Sequence, residues 1–185
     1  VDARRRDRIQ LIYSMDVRVK GEAALRRKHA RNPKVCPAPD TRYRSVGHAP
    51  AGFPPRPELQ PVVVGAGPCG YFAALLLAQM GFRPLLLERG QSVKERTRQT
   101  FAFWRGLRDL DPESNAQFGE GGAGTFSDGK LYSQSDPEHY GRKVLEELVA
   151  CGANAEILTR HHPHIGTFKL ATVVRGLRAR IEELG

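Results

Sequence analysis

Six residues, Gly65-Ala66-Gly67-Pro68-Cys69-Gly70, carry the strongest chemical signal in the chain. Their spacing is G-x-G-x-x-G, and they stand between an apolar run, Val62-Val63-Val64, and a segment of helical periodicity. That context fits a strand–turn–helix unit that binds a dinucleotide. Gly65 permits the tight turn, Gly67 presents no side chain to a pyrophosphate, and Gly70 lets the helix pack close to the strand. The N–H groups at the helix start face the phosphates, with the helix dipole behind them. Pro68 gives up an N–H that would have no partner there. Glu88 ends a second apolar run, Pro84 to Leu87. A carboxylate at that place accepts hydrogen bonds from both ribose hydroxyls of an adenosine and repels a 2′-phosphate, which disfavours NADP in this slot. NAD and FAD share the adenosine half, so this fingerprint does not separate them.

Two further features follow. Glu88-Arg89-Gly90 with Arg96 is similar to the Glu-Arg-Gly…Arg pattern of two-domain flavoproteins. Arg96 can reach a pyrophosphate, the alternative being a solvated helix charge. A second glycine-rich stretch, Asn115 to Leu131, holds five glycines within residues 119–129. Backbone N–H groups of such a loop can wrap a phosphate or a flat ring. Phe118, Phe126 and Leu131 anchor the stretch, which sets it apart from a flexible linker. Gly121, Gly122, Gly124, Thr125 and Ser127 are the residues of this stretch expected to contact the cofactor.

The elements that must position these groups can be read from periodicity. Val62–Val64 and Pro84–Leu87 read as buried strands, joined by a helix from Pro68 to Met80, with Gly81 past its end. Its apolar positions are Phe72, Leu75, Leu76 and Met80. A strand–helix–strand unit implies a parallel sheet. Ser92-Val93-Lys94-Glu95 reads as a capping box opening a helix whose inner stripe is Val93, Thr97, Phe101 and Trp104. Asp136-Pro137 caps another helix ending at Gly152. A last helix runs from about Thr167 to Leu184, with Leu170, Val173, Val174, Leu177, Ile181 and Leu184 at core spacing. Upstream, Ile9, Leu11, Tyr13, Met15, Val17 and Val19 alternate with mostly polar residues and predict a half-buried strand. Glu22 to His29 reads as a short basic helix. Eight prolines between Pro33 and Pro61 mark a connector, since they can continue neither a helix nor a central strand. The expected domains are therefore 1–57, part of a small basic α+β domain plus connector, and 58–185, an incomplete Rossmann-like parallel sheet binding FAD or NAD(P).

Composition narrows the function classes. All of the net charge of +9 falls in residues 1–57; the remainder balances to zero. A basic excess can bind anions or nucleic acid, but no RNA-binding signature accompanies it, so a solvated basic surface is the reading and nucleic acid the exception. Cys36, Cys69 and Cys151 form no C-x-x-C pair, which suits neither a disulfide framework nor a zinc site and fits a reducing cytoplasm. The longest apolar run, Tyr71 to Ala78, is too short to span a bilayer. His161, His162 and His164 lack companions at ligand spacing, so no metal is expected.

The blocks Val1 to Arg5, Ile12 to Val17, Pro61 to Pro68, Leu87 to Gly90, Phe118 to Leu131 and Pro163 to Thr167 together resemble a family of bacterial FAD-dependent dehydrogenases in the NAD(P)/FAD-dependent oxidoreductase superfamily. The resemblance covers nearly the whole chain apart from the connector, and Phe118 to Leu131 is its most specific part. It implies an FAD cofactor, hydride transfer through the flavin, NAD(P)H as a candidate electron donor, a small-molecule substrate, and a chain truncated at both ends. Cys69 departs from the small Ala more usual there. No residue is assigned as a general acid or base. Two other classes fit parts of the sequence: an NAD-binding regulatory domain without catalysis, and a nucleic-acid-binding module built on the basic first third.

Overall fold

The computed structural model describes residues 2–5, 7–131, 140–160 and 162–185. The chain divides into two compact units, Val1–Asp40 and Thr41–Gly185. The expected division near residue 58 rests on composition; by contacts, residues 41–57 group with the second unit. Ala49 N–H donates to the Met80 carbonyl at 2.8 Å, and the Phe53 ring meets Phe82 edge-on at 5.2 Å.

In the first unit, α1 spans Glu22–Lys28, with Glu22 in its first turn and Arg26, Arg27 and Lys28 in its last. That distribution complements the helix dipole. The half-buried strand expected over residues 9–19 is not formed. The only pairing among the described residues there is an isolated antiparallel bridge, Asp2 to Gln10. Ile9, Leu11, Tyr13, Met15 and Val17 are all exposed. The physical reason is that period-two patterning supplies a face but no ladder partner, and a lone strand neither satisfies its backbone groups nor buries its face.

The second unit is mixed α/β. Strands β1 (Val62–Val64) and β2 (Leu85–Leu87) pair in parallel, Val62 opposite Leu85 and Val64 opposite Leu87. Helix α2 (Pro68–Gln79) makes the crossover that a parallel pair requires. It buries Tyr71, Ala74, Leu75 and Ala78, a stripe that shares only Leu75 with the expected set, because the small residues face the neighbouring helix. That neighbour is α5 (Thr167–Glu183), which buries Val173, Val174, Leu177 and Ile181 as expected, while Leu184 stays exposed. Helix α4 (Gly141–Ala150) adds Leu148. Its expected cap, Asp136-Pro137, lies outside the described residues. A Cβ on Gly176 would stand 2.7 Å from the Cys151 carbonyl oxygen, so glycine is what allows α5 to approach the end of α4.

The two strands are less buried than their all-apolar composition implies. Val63 and Leu86 pack against the core, whereas Val62, Val64, Leu85 and Leu87 are exposed. Helices of this unit cover one face of the sheet, and alternate residues of a strand point to opposite faces.

Helix α3 spans Val93–Trp104. The expected capping box is not made: Ser92 sits at the N-cap without a side-chain cap bond, and Glu95 turns instead to Arg98 and Gln99. The buried stripe is Val93, Arg96 and Thr100 rather than Val93, Thr97, Phe101 and Trp104. Arg96 is buried on this face because it packs against backbone carbonyls of the 115–122 turn, which need donors rather than hydrocarbon.

Candidate functional site

The three glycines of the 65–70 turn differ in what requires them. Gly65 has φ +97°, a conformation that side-chain-bearing residues rarely adopt. A Cβ on Gly70 would stand 1.8 Å from the Gly65 carbonyl oxygen, so close packing of helix on turn demands glycine there. Gly67 is neither strained nor crowded: its φ is −77°, and a Cβ would meet no protein atom within 4 Å. Its missing side chain leaves open space at the first turn of α2.

That space belongs to a cavity of about 560 Å³ lined by Val64, Gly65, Gly67, Leu87, Glu88, Arg89, Glu113, Gln117, Phe118, Gly119 and Gly122. Both glycine-rich stretches therefore contribute to one cavity at the C-terminal ends of β1 and β2. Glu88 is fixed at its edge. One carboxylate oxygen accepts Ala66 N–H at 2.7 Å, the other Gly90 N–H at 2.8 Å. Each oxygen retains a further lone pair for an outside donor. Arg89 pairs with Glu113 across the rim, both exposed. The cavity offers amides, two carboxylates, one guanidinium, apolar floor residues and the Phe118 ring.

The second stretch docks on the first. Gly121 N–H donates to the Ala66 carbonyl at 2.8 Å, and a Cβ on Gly122 would stand 3.1 Å from Pro68 Cδ and 3.3 Å from Gly67 Cα. Two buried charged side chains hold this arrangement. Arg96 is fully buried on α3. Its Nε donates to the Asn115 carbonyl at 2.7 Å and its Nη2 to that of Ala116 at 3.1 Å. Its Nη1 faces the carbonyls of Gly119, Glu120 and Gly122 at 3.2, 2.7 and 2.9 Å. The Phe126 ring covers the guanidinium at 5.0 Å. Burial lowers the guanidinium's affinity for its proton, and the charges of Glu88 and Glu120 oppose that effect; an arginine of this kind stays charged.

Glu120 is the second holder. Its carboxylate accepts the Val93 N–H at the start of α3, accepts the Tyr71 hydroxyl from α2, and pairs with Arg178 of α5 at 3.2 Å. It thus caps α3 in place of Ser92. Burial, then the Glu120 hydrogen bond and charge, push the Tyr71 hydroxyl well above the usual phenol range, so it acts as a neutral donor. Sequence reasoning gave Glu120 no role. The available signal was that Glu120 is the sole ionisable residue between Gly119 and Ser127. Glu113 and Gln117 were also missed. Asn115 brings the 115–118 segment round, its side-chain oxygen accepting Gln117 N–H at 2.8 Å, a local turn that asparagine favours.

Of the residues expected to hold a cofactor, Gly65, Gly67, Glu88, Arg89 and Gly122 line the cavity. Pro68 opens α2 beside it, and Gly70 packs the turn. Arg96 lies beneath the 115–122 turn with its donors on carbonyls. Gly121 and Thr125 are buried against each other, with Val174 beside Gly121; Gly124 and Thr125 lie in the short 3₁₀ turn Ala123–Phe126, and Ser127 caps its end, Ser127 Oγ donating to the Gly124 carbonyl at 3.2 Å. His164 forms an isolated bridge with Lys130; His161 lies outside the described residues. No helix among the described residues is long and apolar enough to cross a membrane.

Comparison with known proteins bears on the same segment. Residues 58–104, which hold β1, α2, β2 and α3, match the model of a family described as "FAD binding domain". The chain is also 41% identical over 186 residues to an "Uncharacterized protein" of Clostridium beijerinckii (strain ATCC 51743 / NCIMB 8052). That alignment covers 100% of this chain and 33% of the relative, so the chain spans about a third of the relative's length. The match over the strand–helix–strand unit and α3 makes this segment similar to an FAD-binding domain.

Proposed function

We propose that residues 58–185 form the adenosine- and pyrophosphate-binding part of a Rossmann-like FAD domain. The protein it serves is an oxidoreductase of dehydrogenase type that acts on a small molecule and draws electrons from NAD(P)H. The observation that carries the reading is Gly67. Neither its backbone conformation nor its packing calls for glycine, yet it faces the cavity that both glycine-rich turns line. What a side chain would obstruct there is a guest from outside, and the first turn of α2 offers N–H groups and a positive dipole end to an anionic one.

The roles follow from position. Glu88 would accept the ribose hydroxyls, already oriented by Ala66 and Gly90 N–H. Gly65, Gly67 and Gly122 would let the backbone approach the pyrophosphate. Arg89, held by Glu113, would border the adenosine. Gly121, Gly124, Thr125 and Ser127 would shape the turn leading toward the flavin. When bound, the flavin supplies hydride acceptance and donation; the protein binds, orients and tunes it.

The test is titration of the full-length natural protein with FAD, ADP and NADP. FAD and ADP should compete for one site from which NADP displaces neither, and Glu88→Gln should weaken both by about tenfold, one charge-assisted hydrogen-bond pair. Equal binding by Glu88→Gln, or preference for NADP, would remove Glu88 from the ribose.

A further inference from the structure

We infer that Arg96 is a positioning residue for the diphosphate: it holds the 115–122 turn with its carbonyls inward and so sets the cavity wall and the cation that a phosphate group meets. The inference rests on the nucleotide-binding reading above and assigns Arg96 a role without direct contact.

A peptide unit is planar, with its carbonyl and the following N–H pointing in opposite directions. Arg96 draws the Gly119 and Glu120 carbonyls toward itself. The N–H groups of Glu120 and Gly121 must then face away from it. Both do so productively. Glu120 N–H donates to the Gln91 carbonyl at 3.2 Å, and Gly121 N–H donates to that of Ala66 at 2.8 Å. Ala66 stands between Gly65 and Gly67, so the grip on one turn fixes the other. The Gly122 carbonyl is held in the same way, which keeps Gly122 against Gly67 and Pro68 at the cavity wall. The space for the guanidinium is itself specific: a Cβ on Gly119 would stand 2.8 Å from Arg96 Cδ.

Charge argues alongside geometry. The hydrogen-bond partners of Arg96 are carbonyl oxygens, which orient the cation without neutralising it. The cation beneath the turn offsets the negative charges of Glu88 and Glu120 and so lowers the cost of an anion above it, because protein screens less than water does. Lysine keeps the charge but has neither the planar fork nor the reach to hold five carbonyls.

The test compares Arg96→Lys with wild type in the full-length natural protein. ADP and adenosine are the calorimetric probes, and the melting temperature of the ligand-free protein is recorded beside them. The expected result is a loss of about tenfold in ADP affinity, the equivalent of one charge-assisted hydrogen bond. Adenosine, which has no phosphate, should bind as to wild type. Equal losses for ADP and adenosine would mean that Arg96 only supports the fold, and unchanged ADP binding would remove it altogether. Wild-type protein that binds neither ADP nor FAD would instead overturn the nucleotide reading itself. Should Arg96→Lys not fold, Phe126→Leu, which loosens the guanidinium without removing it, must show a smaller loss confined to ADP; binding equal to wild type would overturn the inference.

Discussion

The 65–70 turn and the 115–122 turn both owe their shape to glycine, but they are held in different ways. The first takes its shape from its own glycines: Gly65 makes the bend, Gly70 admits the helix, and Gly67 leaves the space, all within six residues, while Leu87, Glu88 and Gly121 bond its backbone. The second is held from outside, by Arg96 on α3 beneath it and by Glu120, which ties it to α2, α3 and α5. A turn that depends on a caged cation and a buried carboxylate exists only when the surrounding helices are already in position. The difference teaches that the cavity has one wall shaped by local glycines and one wall shaped by the packing of the domain.

The largest effect should come from Gly70→Ala. A Cβ at 1.8 Å from the Gly65 carbonyl cannot be relieved by a side-chain shift, so the helix must move off the turn. A loss of about 3 kcal/mol or more is expected, read from urea unfolding; a stability near wild type would show that the first wall is not rigid. Next is Glu120→Gln, which keeps the shape of the side chain but gives up its charge toward Arg178, and the Tyr71 hydroxyl and Val93 N–H with it compete for one carbonyl oxygen. About 2–3 kcal/mol should be lost, and near-neutrality would break the claim that the second wall is held by Glu120.

Gly67→Ala sharpens the comparison from the other side. Nothing in the protein opposes the added methyl, so the melting temperature should hardly change. FAD affinity should fall about a hundredfold, as close backbone approach to the pyrophosphate is lost. A stability loss without a binding loss would reverse the meaning given to this residue.

The smallest effect concerns a network remote from both walls. Glu147 of α4 is bonded to Lys143 and Gln79 and paired with Arg180 at 3.2 Å. Burial alone would raise its carboxyl, but these partners outweigh burial and hold it below the usual carboxylate value of 4.5. A depressed folded value means that the contribution is fully present above about pH 4.5 and is lost as pH falls through the folded value. Glu147→Gln should therefore flatten the stability profile on the acid side while leaving cofactor affinity at neutral pH unchanged. An unaltered acid limb would show that Glu147 is not the group responsible.

What was legible in the sequence follows the same division. Strands β1 and β2 and helices α2, α3 and α5 were readable because their signals are local: apolar runs, 3.6-residue spacing, Pro68 at a helix start. The strand expected at Ile9–Val19 failed because periodicity names a face and not the neighbour that must pair with it. The Ser92–Glu95 box failed because a carboxylate 27 residues away in the chain reached the same N–H. Burial of Arg96 was unreadable for a related cause: its partners are backbone carbonyls, which every sequence has, and only tertiary structure gathers five of them. Glu113 and Gln117 came to the cavity through the turn at Asn115, whose side chain was the one legible sign of it.

The most direct test is the visible absorption spectrum of the full-length natural protein as purified, with mass identification of any cofactor released on denaturation. Flavin bands and released FAD are the expected result. A colourless protein that stays without cofactor after incubation with FAD would contradict the account and leave the two glycine-rich walls as the site of a different nucleotide.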